Sequence, residues 1–555
     1  MSTKSAPKNS RFIYVVSTLL LTISIAQAEP NAGQLLQQIE KERAAQLPDL
    51  PLPQIAAEPE ELTPSKSINI TVKSFQFSGN TLIESDVLAT VLTSYLDRPL
   101  GFIELQKASQ AIAEHYRNEG WVVRAYLPKQ DVTEGIITIH IVEAVFGGVQ
   151  FDGDLNRLSE KDLRERISSI QVEGENLNAN DIDRALLLID DLPGVSARGS
   201  LTKGQQESET NLLLTTTDEP LFQTNVGIDN MGPRSTGSER VTANLFINSP
   251  LKIGDQVSVN IIHSEGNDYG RLAYSLPVGN DGLRIGASGS HLSYDLVGDF
   301  SSLNALGSSS TVGLNASYPL IRSRLKNLYL GLNADHKNFD NEANENRTTH
   351  YKIDNLSLSL TGNLFDKLGG GGASNAGVII TQGNVDFGVI DLAEDTDLDG
   401  NFTKLNYNLS RHQVISNKLS AYVAISGQEA SSDLDSAEKF YLGGSYGVRA
   451  YPVNEASGSD GQLLNVELRS RLSPNLILTG FYDLGHVSET DIANLTSYTL
   501  KGAGISSSYT TKSGLNLKAT WARRIGDNPN PAANGDDQDG TLHKNRFWLQ
   551  ATTKF

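Results

Sequence analysis

The sequence predicts a transmembrane β-barrel of about 16 antiparallel strands, preceded by two small α/β domains. The chain begins with a secretory signal, and residues 67–219 contain one β-α-α-β-β pattern twice. From about residue 221 onward, helical periodicity gives way to short alternating segments. Sixteen strands in residues 220–555 would use roughly 21 residues each with their turns, which suits membrane strands of about 10 residues and their connections.

The composition argues against several classes of binding partner and excludes chemistry that depends on cysteine. The 555 residues carry a formal net charge of -19, which argues against nucleic acid as a partner because a phosphate backbone would be repelled. The chain has no cysteine, so disulfides, thiolate metal ligands and cysteine nucleophiles are excluded. The sequence also lacks a phosphate-binding loop and a zinc pattern. We therefore expect no cofactor, no metal site and no enzymatic activity.

Residues 1–28 are predicted to be a signal peptide. A basic region and an apolar run over residues 12–25 precede an Ala-Gln-Ala site, which places cleavage between Ala28 and Glu29. An anchoring helix is the alternative. We favour the signal peptide because this apolar run is shorter than the roughly 20 residues that span a bilayer.

Residues 29–47 are predicted to form a short charged helix. Leu35, Leu36 and Ile39 share one face of this helix, and the residues after them are strongly charged. Residues 48–66 are a proline-rich linker, which favours an extended, semi-rigid tether. A charged helix on such a tether could be docked or released, and a disordered leader is the alternative.

Residues 67–145 and 146–219 are predicted to be the two α/β domains. In the first domain, an alternating strand and a turn are followed by two helical segments and two further strands. Residues 76–80 (QFSGN) recur at residues 150–154 (QFDGD), again followed by two helices and two strands. The repetition indicates two tandem copies of one domain.

The carboxyl-terminal part of the barrel is the easiest to divide into strands. The strands are predicted over residues 418–427, 462–472, 475–487, 496–508, 513–525 and 543–555. Long and short connections alternate between them, as in outer-membrane barrels with short periplasmic turns and long external loops. This pattern places the carboxyl terminus and both α/β domains in the periplasm. A soluble sandwich could show the same alternation, but a last strand that ends on Phe555 is typical of barrels inserted by the outer-membrane assembly machinery.

Two motifs match chemical sites without the context that those sites require. Residues 443–447 (GGSYG) match the G-x-S-x-G nucleophile elbow, which needs a strand before the serine and a helix after it. Here a loop follows. Residues 395–400 (DTDLDG) match the first half of a calcium loop, but the twelfth position is Asn406 instead of glutamate. We expect a solvated acidic loop there and no hydrolase.

Arg449 and Asp483 form the candidate site. Along residues 475–487 most of the apolar side chains share one face, which must meet lipid, so Asp483 points into the lumen. A carboxylate in a confined lumen is stabilised by a cationic donor, and arginine offers a bidentate contact. Arg449 lies near glycines in the preceding long loop, and an inward fold of this loop would join the pair. The alternative is a solvated Arg449 and an Asp483 that only lines a wet pore.

These features together resemble the outer-membrane transporters of two-partner secretion (TpsB), the hemolysin secretion/activation proteins of the POTRA-barrel superfamily. The segment Val448-Arg449-Ala450-Tyr451 is similar to the V-R-G-Y/F tetrad in the family's inward-folded sixth external loop. Phe481-Tyr482-Asp483, followed by Gly485, is similar to its barrel-wall motif F/G-x-D. Residues 274–277 (YSLP) and 318–322 (YPLIR) look typical of its early barrel strands.

The resemblance implies a plug helix, two periplasmic POTRA domains and a 16-stranded barrel in a Gram-negative outer membrane. It implies that an unfolded exoprotein partner is captured in the periplasm and translocated to the cell surface. It also implies that the assembly machinery inserts the barrel into outer-membrane lipid and that Arg449 and Asp483 lock the sixth loop to the wall. An assembly factor of the same superfamily and a passive porin are the alternatives. Ala450 replaces the usual glycine, which would cost on the order of 1 kcal/mol if its φ had to be positive.

Overall fold

The computed structural model describes most of the chain from residue 30 onward. The described residues are 30–45, 70–132, 134–153, 156–206, 208–387, 398–488, 497–529, 531–532 and 534–555. The predicted signal peptide with its cleavage site at Ala28 and Glu29, the linker at 48–66 and most of the half calcium loop lie outside these residues. Among the described helices, none combines the length and the apolar character needed to cross a membrane.

The first α/β domain follows the order of elements expected from the sequence. Its elements are β1 (Ile70–Thr71), β2 (Ser74–Ser78), α2 (Ser85–Val91), β3 (Pro99–Leu100), α3 (Phe102–Asn118), β4 (Val123–Tyr126) and β5 (Ile136–Glu143), and they come after an isolated helix α1 (Ala32–Ala45). The sheet order is β2-β5-β4, with β2 parallel to β5 and β4 antiparallel to it. Alternate residues of β5 are buried, which places Ile137, Ile139 and Ile141 in the core beneath the helices.

Glu143 ties the end of β5 to the turn before α2. Its carboxylate accepts the backbone N–H groups of Thr81 and Leu82 at 2.8 and 2.9 Å and the hydroxyl of Tyr116 at 3.0 Å. Burial alone would raise the pKa of Glu143, but the hydrogen bonds from Thr81, Leu82 and Tyr116 outweigh it and lower the pKa overall.

The second α/β domain repeats the pattern and joins the first through backbone hydrogen bonds. Its elements are β6 (Val145–Asp152), α4 (Glu160–Ser168), α5 (Ala179–Asp190), β7 (Val195–Lys203) and β8 (Glu209–Asp218), with sheet order β6-β8-β7. The N–H of Val122 donates to the carbonyl of Leu177 at 3.1 Å, and the N–H of Leu177 donates to Ala144 at 2.7 Å. The junction therefore has regular backbone pairing in place of a loose tether.

The rest of the chain closes into a barrel of 16 antiparallel strands, which confirms the predicted fold class. The strands are β9 (Phe222–Asp229), β10 (Arg240–Asn248), β11 (Gln256–Ser264), β12 (Asn267–Val278), β13 (Leu283–Asp295), β14 (Ala305–Arg322), β15 (Lys326–Ala343), β16 (Asn346–Asp366), β17 (Gly372–Asp386), β18 (Gly400–Ser416), β19 (Leu419–Ala430), β22 (Asp460–Ser473), β23 (Leu476–Ser488), β24 (Tyr498–Thr510), β25 (Asn516–Arg524) and β26 (Asn545–Lys554). Strands β20 (Phe440–Tyr441) and β21 (Ser457–Gly458) form a separate hairpin in the sixth external loop. The six carboxyl-terminal strands predicted from the sequence are all present, each within a few residues of its expected ends.

The first and last strands close the barrel, and the second α/β domain sits at its periplasmic end. Strand β26 pairs with β9, and Phe555 exchanges backbone hydrogen bonds with Thr224 at 2.9 and 3.1 Å. At the periplasmic end of β14, the guanidinium of Arg322 contacts Asp191 of the second domain at 2.7 Å. The contact with Asp191 therefore ties the second domain to the periplasmic end of the barrel.

Candidate functional site

The sixth external loop, residues 431–459, folds back into the barrel. Val448, Ala450 and Tyr451 are fully buried in a cluster with wall residues of β22 to β25. Inside the loop, the N–H of Val448 donates to the carbonyl of Leu442 at 2.7 Å and closes a tight turn. The turn presents the next residue, Arg449, to the wall of the barrel.

Arg449 and Asp483 meet in a bidentate ion pair. Arg449 donates from Nε to Asp483 Oδ2 at 2.9 Å and from Nη2 to Oδ1 at 2.6 Å, and its backbone N–H adds a third contact at 3.1 Å. Asp483 is fully buried, and Asn465 on the neighbouring strand donates to Oδ1 at 2.8 Å. The carboxylate is therefore saturated with donors, three of which come from one loop residue.

The wall motif around Asp483 also shapes the seat of the loop. The ring of Phe481 lies under the guanidinium of Arg449, with 3.6 Å from Cζ to the ring centroid, a cation–π contact. Gly485 leaves room for the loop, because a Cβ there would come within 2.5 Å of a methyl group of Leu442. Both motif residues therefore touch the loop that carries the tetrad.

Ala450 fits without backbone strain. It is not among the residues with positive φ, so the usual glycine is not required for conformational reasons. Its methyl group faces Gly502 on β24, where an added Cβ would lie only 2.5 Å away. The wall glycine thus provides the space that a glycine in the loop would otherwise provide.

Four further residues complete the site, and the sequence reasoning did not single them out. Glu467 accepts from Arg449 Nη1 at 2.8 Å, and Asn465 supports Asp483. Trp548 donates from Nε1 to the carbonyl of Arg449 at 2.8 Å, and Arg524 lies over the ring of Tyr451 with 4.3 Å to its centroid. A signal for Trp548 was available, since it falls on the lumen-facing side of β26, where an apolar residue needs a buried partner.

Helix α1 lies inside the lumen against the same loop. Its apolar side, with Leu35, Leu36 and Ile39, is buried among the inward-facing aromatic and aliphatic side chains of β11 to β18. Gly33 allows direct contact with loop six, because a Cβ there would lie 2.8 Å from the Oγ of Ser436. The helix and the loop together occupy the external half of the lumen.

The polar side of helix α1 is also paired. Lys41 donates from Nζ to the carbonyl of Tyr441 in loop six at 2.6 Å. Glu42 accepts from Arg240 at 2.9 Å, and Arg240 also contacts Asp229 at 2.9 Å, at the external ends of the first two barrel strands. The helix is therefore held by charge as well as by apolar contact.

Two family models match the chain. The model described as haemolysin secretion/activation protein ShlB/FhaC/HecB matches residues 208–509, more than half of the sequence. The chain belongs to the haemolysin secretion/activation protein family. The model of the ShlB-type POTRA domain matches residues 70–144. This haemolysin secretion/activation protein is an outer-membrane transporter of two-partner secretion that translocates a partner exoprotein, with its POTRA domains in the periplasm.

Similar proteins span nearly the whole transporter. The heme/hemopexin transporter protein HuxB of Haemophilus influenzae strain 86-028NP is 26% identical over 100% of both chains. The structure of CdiB from Escherichia coli has a TM-score of 0.74 at 21% identity and covers 96% of this chain and 100% of its own. BamA from Haemophilus ducreyi, lacking POTRA domains 1–3, has a TM-score of 0.51 at 15% identity over 88% of this chain and 100% of its own. Both structures share the fold of the transporter.

The G-x-S-x-G match lies in loop six. Ser445 of the G-x-S-x-G match is in a turn bounded by an isolated bridge between Gly443 and Val448, with no helix after it. Nowhere in the described part of the chain do three or more acidic or histidine side chains group in a way that could hold a metal ion.

Proposed function

We propose that this transporter threads an unfolded exoprotein through its lumen past a loop six that the Arg449–Asp483 lock holds in place, and that helix α1 closes the route at rest. The observation that carries the proposal is the buried bidentate contact between an external loop and the barrel wall. We further propose that the chain acts by transport alone, without catalysis.

The lock is strong because both partners are removed from water. The side chain of Asp483 is 0% exposed and that of Arg449 is 11% exposed, so neither charge has a good solvated alternative while the loop stays in the lumen. Removal of one partner of a buried pair costs about 3–5 kcal/mol, because the other charge is left uncompensated. The ion pair therefore holds loop six in a single position inside the lumen.

Helix α1 occupies space that a polypeptide in transit would need. It lies in the external half of the lumen beside loop six, and the proline-rich segment at residues 48–66 follows it in the sequence. The linker predicted there from its composition would let the helix leave the lumen without unfolding the barrel. We therefore propose that α1 is a reversible plug.

Capture of the partner is proposed to occur on the POTRA domains. Strands β2 and β4 are the edges of the first sheet, and β6 and β7 are the edges of the second. An unfolded chain could add a strand to such an edge, using its own backbone groups for affinity. Folding of the exoprotein outside the cell would then bias the transfer, since no nucleotide is available in the periplasm.

Secretion of the partner exoprotein tests the lock. We expect Arg449→Ala to reduce the exoprotein released into the medium by at least about tenfold, because Asp483 and Glu467 lose a shared buried cation. Arg347→Ala is the matched control, since Arg347 also pairs with an aspartate, Asp340, but is 52% exposed. Barrel assembly is checked in detergent, where an assembled barrel stays folded unless the sample is heated. Unchanged secretion by an assembled Arg449→Ala barrel would contradict the proposed lock.

A further inference from the structure

Loop six has a second attachment to the barrel, through Glu438 near the start of the loop. This carboxylate is almost fully buried and lies among two lysines and an amide from three different strands. We propose that Glu438, Lys337 and Lys404 form a second anchor, the glutamate clamp, which holds the first limb of loop six, residues 431–441. The clamp acts independently of Arg449 and Asp483, which hold the second limb, residues 442–459, and it stays closed when helix α1 leaves. The inference rests on the proposed role of loop six in transport.

The geometry of the clamp satisfies both carboxylate oxygens. Lys404 lies 2.5 Å from Oε2 of Glu438, Lys337 lies 3.0 Å from Oε1, and Asn355 donates to Oε1 at 2.8 Å. Lys404 also donates to the backbone carbonyl of Glu438 at 3.1 Å, so the main chain is held as well as the side chain. The side chains of both lysines are less than a tenth exposed. Water molecules would not readily replace this set of donors to the carboxylate.

The clamp and the Arg449–Asp483 lock attach different limbs of the loop to different parts of the wall. The clamp uses β15, β16 and β18, whereas the lock uses β22 and β23. Gln428 on β19 supports the arrangement, since its side chain donates to the carbonyls of Glu438 at 3.0 Å and Ser459 at 2.9 Å. The two ends of the loop are thereby tied together, and each limb has its own ionic contact.

The contacts of Lys337 show why the clamp does not depend on helix α1. Lys337 also faces Glu40 of the helix, but at 3.5 Å, and the side chain of Glu40 is 29% exposed. The contact with Glu438 is shorter and drier, so it is the stronger of the two. When the helix leaves, Lys337 keeps Glu438 and loses only the weaker partner. Glu438 then remains between two cations, and no buried carboxylate is left unpaired.

This arrangement has a consequence for the route of the exoprotein. If both limbs of loop six stay fixed while α1 is absent, the polypeptide passes through the volume that the helix vacates. It would not pass through a space opened by withdrawal of the loop. Glu438, Lys337 and Lys404 are then positioning residues for transport, with no contact to the exoprotein required.

Thiol labelling from outside the cell tests the clamp, because the natural chain has no cysteine. Two buried reporters, Ala437→Cys in the first limb and Val448→Cys in the second, are introduced one at a time into the full-length chain. A membrane-impermeant maleimide then reports how often each position becomes exposed. Position 437 also lies against Gly33 of helix α1, so a third buried reporter, Leu36→Cys in the helix, measures departure of the helix separately, and its labelling should stay within about twofold in Glu438→Gln. We expect Glu438→Gln to raise labelling at position 437 by at least about tenfold and to leave position 448 within about twofold. Arg449→Ala should have the reverse pattern.

Further variants keep the test decisive. Lys404→Met, which leaves the Lys337–Glu40 contact in place, should expose position 437 as Glu438→Gln does, whereas Glu40→Gln should leave it within about twofold. Glu429→Gln, an exposed glutamate nearby on β19, is the matched control. All variants are compared as assembled barrels, identified by resistance to detergent unfolding without heating.

The possible results separate the clamp from the proposed function. If Glu438→Gln and Arg449→Ala each expose both reporters equally, loop six opens as one cooperative unit and the independent clamp is overturned. Unchanged labelling at position 437 in Glu438→Gln and Lys404→Met would also overturn it. An effect of Glu40→Gln as large as that of Glu438→Gln would overturn the independence from α1. Intact secretion by Arg449→Ala together with the expected labelling at 437 would refute the lock in transport and leave the clamp standing.

Discussion

Replacing Asp483 with asparagine should detach the second limb of loop six while the shape of the side chain is kept. The carboxylate accepts three hydrogen bonds from Arg449, at 2.6, 2.9 and 3.1 Å, and one from Asn465 at 2.8 Å. Asparagine retains one acceptor oxygen and turns an NH2 group toward donors. The guanidinium then has Glu467 as its remaining ionic partner.

The size of the effect follows from burial. Breaking a buried pair from one side costs about 3–5 kcal/mol, and each 1.36 kcal/mol is a factor of ten, so the detached population should rise roughly 10²- to 10⁴-fold. Glu467→Gln is the internal comparison. It removes one contact to Arg449 at the edge of the site, where both side chains are slightly exposed, and should cost only about 1–3 kcal/mol.

The assay is the labelling rate of Val448→Cys in the two backgrounds, with secretion of the exoprotein measured in parallel. We expect Asp483→Asn to increase labelling far more than Glu467→Gln and to reduce secretion more. If Glu467→Gln has the larger effect, the main anchor is Glu467, and the assignment of Asp483 as the partner that holds the loop is wrong.

Three further predictions concern other contacts of the transporter. Gly502→Ala should weaken the docking of loop six, because the new Cβ would lie 2.5 Å from that of Ala450. Adding Ala450→Gly should restore docking, and labelling of Val448→Cys measures the single and the double variant. A disulfide between Gly33→Cys and Ala437→Cys, whose Cβ positions lie 3.0 Å apart before a small adjustment, should block secretion until a reductant is added, and secretion by the oxidised protein would argue against the plug. Glu143 has a lowered pKa in the folded chain, so its contribution to the stability of the first POTRA domain should be present above its unfolded pKa and be lost as the pH falls through its folded pKa. Faster hydrogen exchange at the backbone amides of Thr81 and Leu82, which donate to Glu143, should show this loss. Glu143→Gln should remove the pH dependence of that exchange.

Much of the barrel could be predicted because a membrane strand must alternate. The lipid face of a strand has to be apolar, so the parity of one strand decides which side chains enter the lumen. That rule alone placed Asp483 inside the barrel. The glycine-rich loop and the inward carboxylate then made a contact with Arg449 possible, and the resemblance to the family made it the prediction and gave it a role.

The same rule could not identify partners across the lumen. Periodicity states which face a side chain occupies, but it does not state what lies opposite. Trp548 reaches the carbonyl of Arg449 from the last strand, and Gly502 faces Ala450 from another. Each of these contacts exists only because the strands close into a ring and the loop is folded inside it.

The sequence by itself determined the class of the protein, since the repeat, the strand parity and the two motifs are local patterns set by backbone geometry and by the bilayer. The tertiary structure alone decided the contacts of loop six beyond the Arg449–Asp483 pair. Ala450 is accommodated by a glycine on the wall, helix α1 sits against the loop through Gly33, and Glu438 is clamped by Lys337 and Lys404. The physical reason is that buried charges and close backbone approaches depend on distances between residues far apart in the chain, which closure of the barrel sets and no local pattern records.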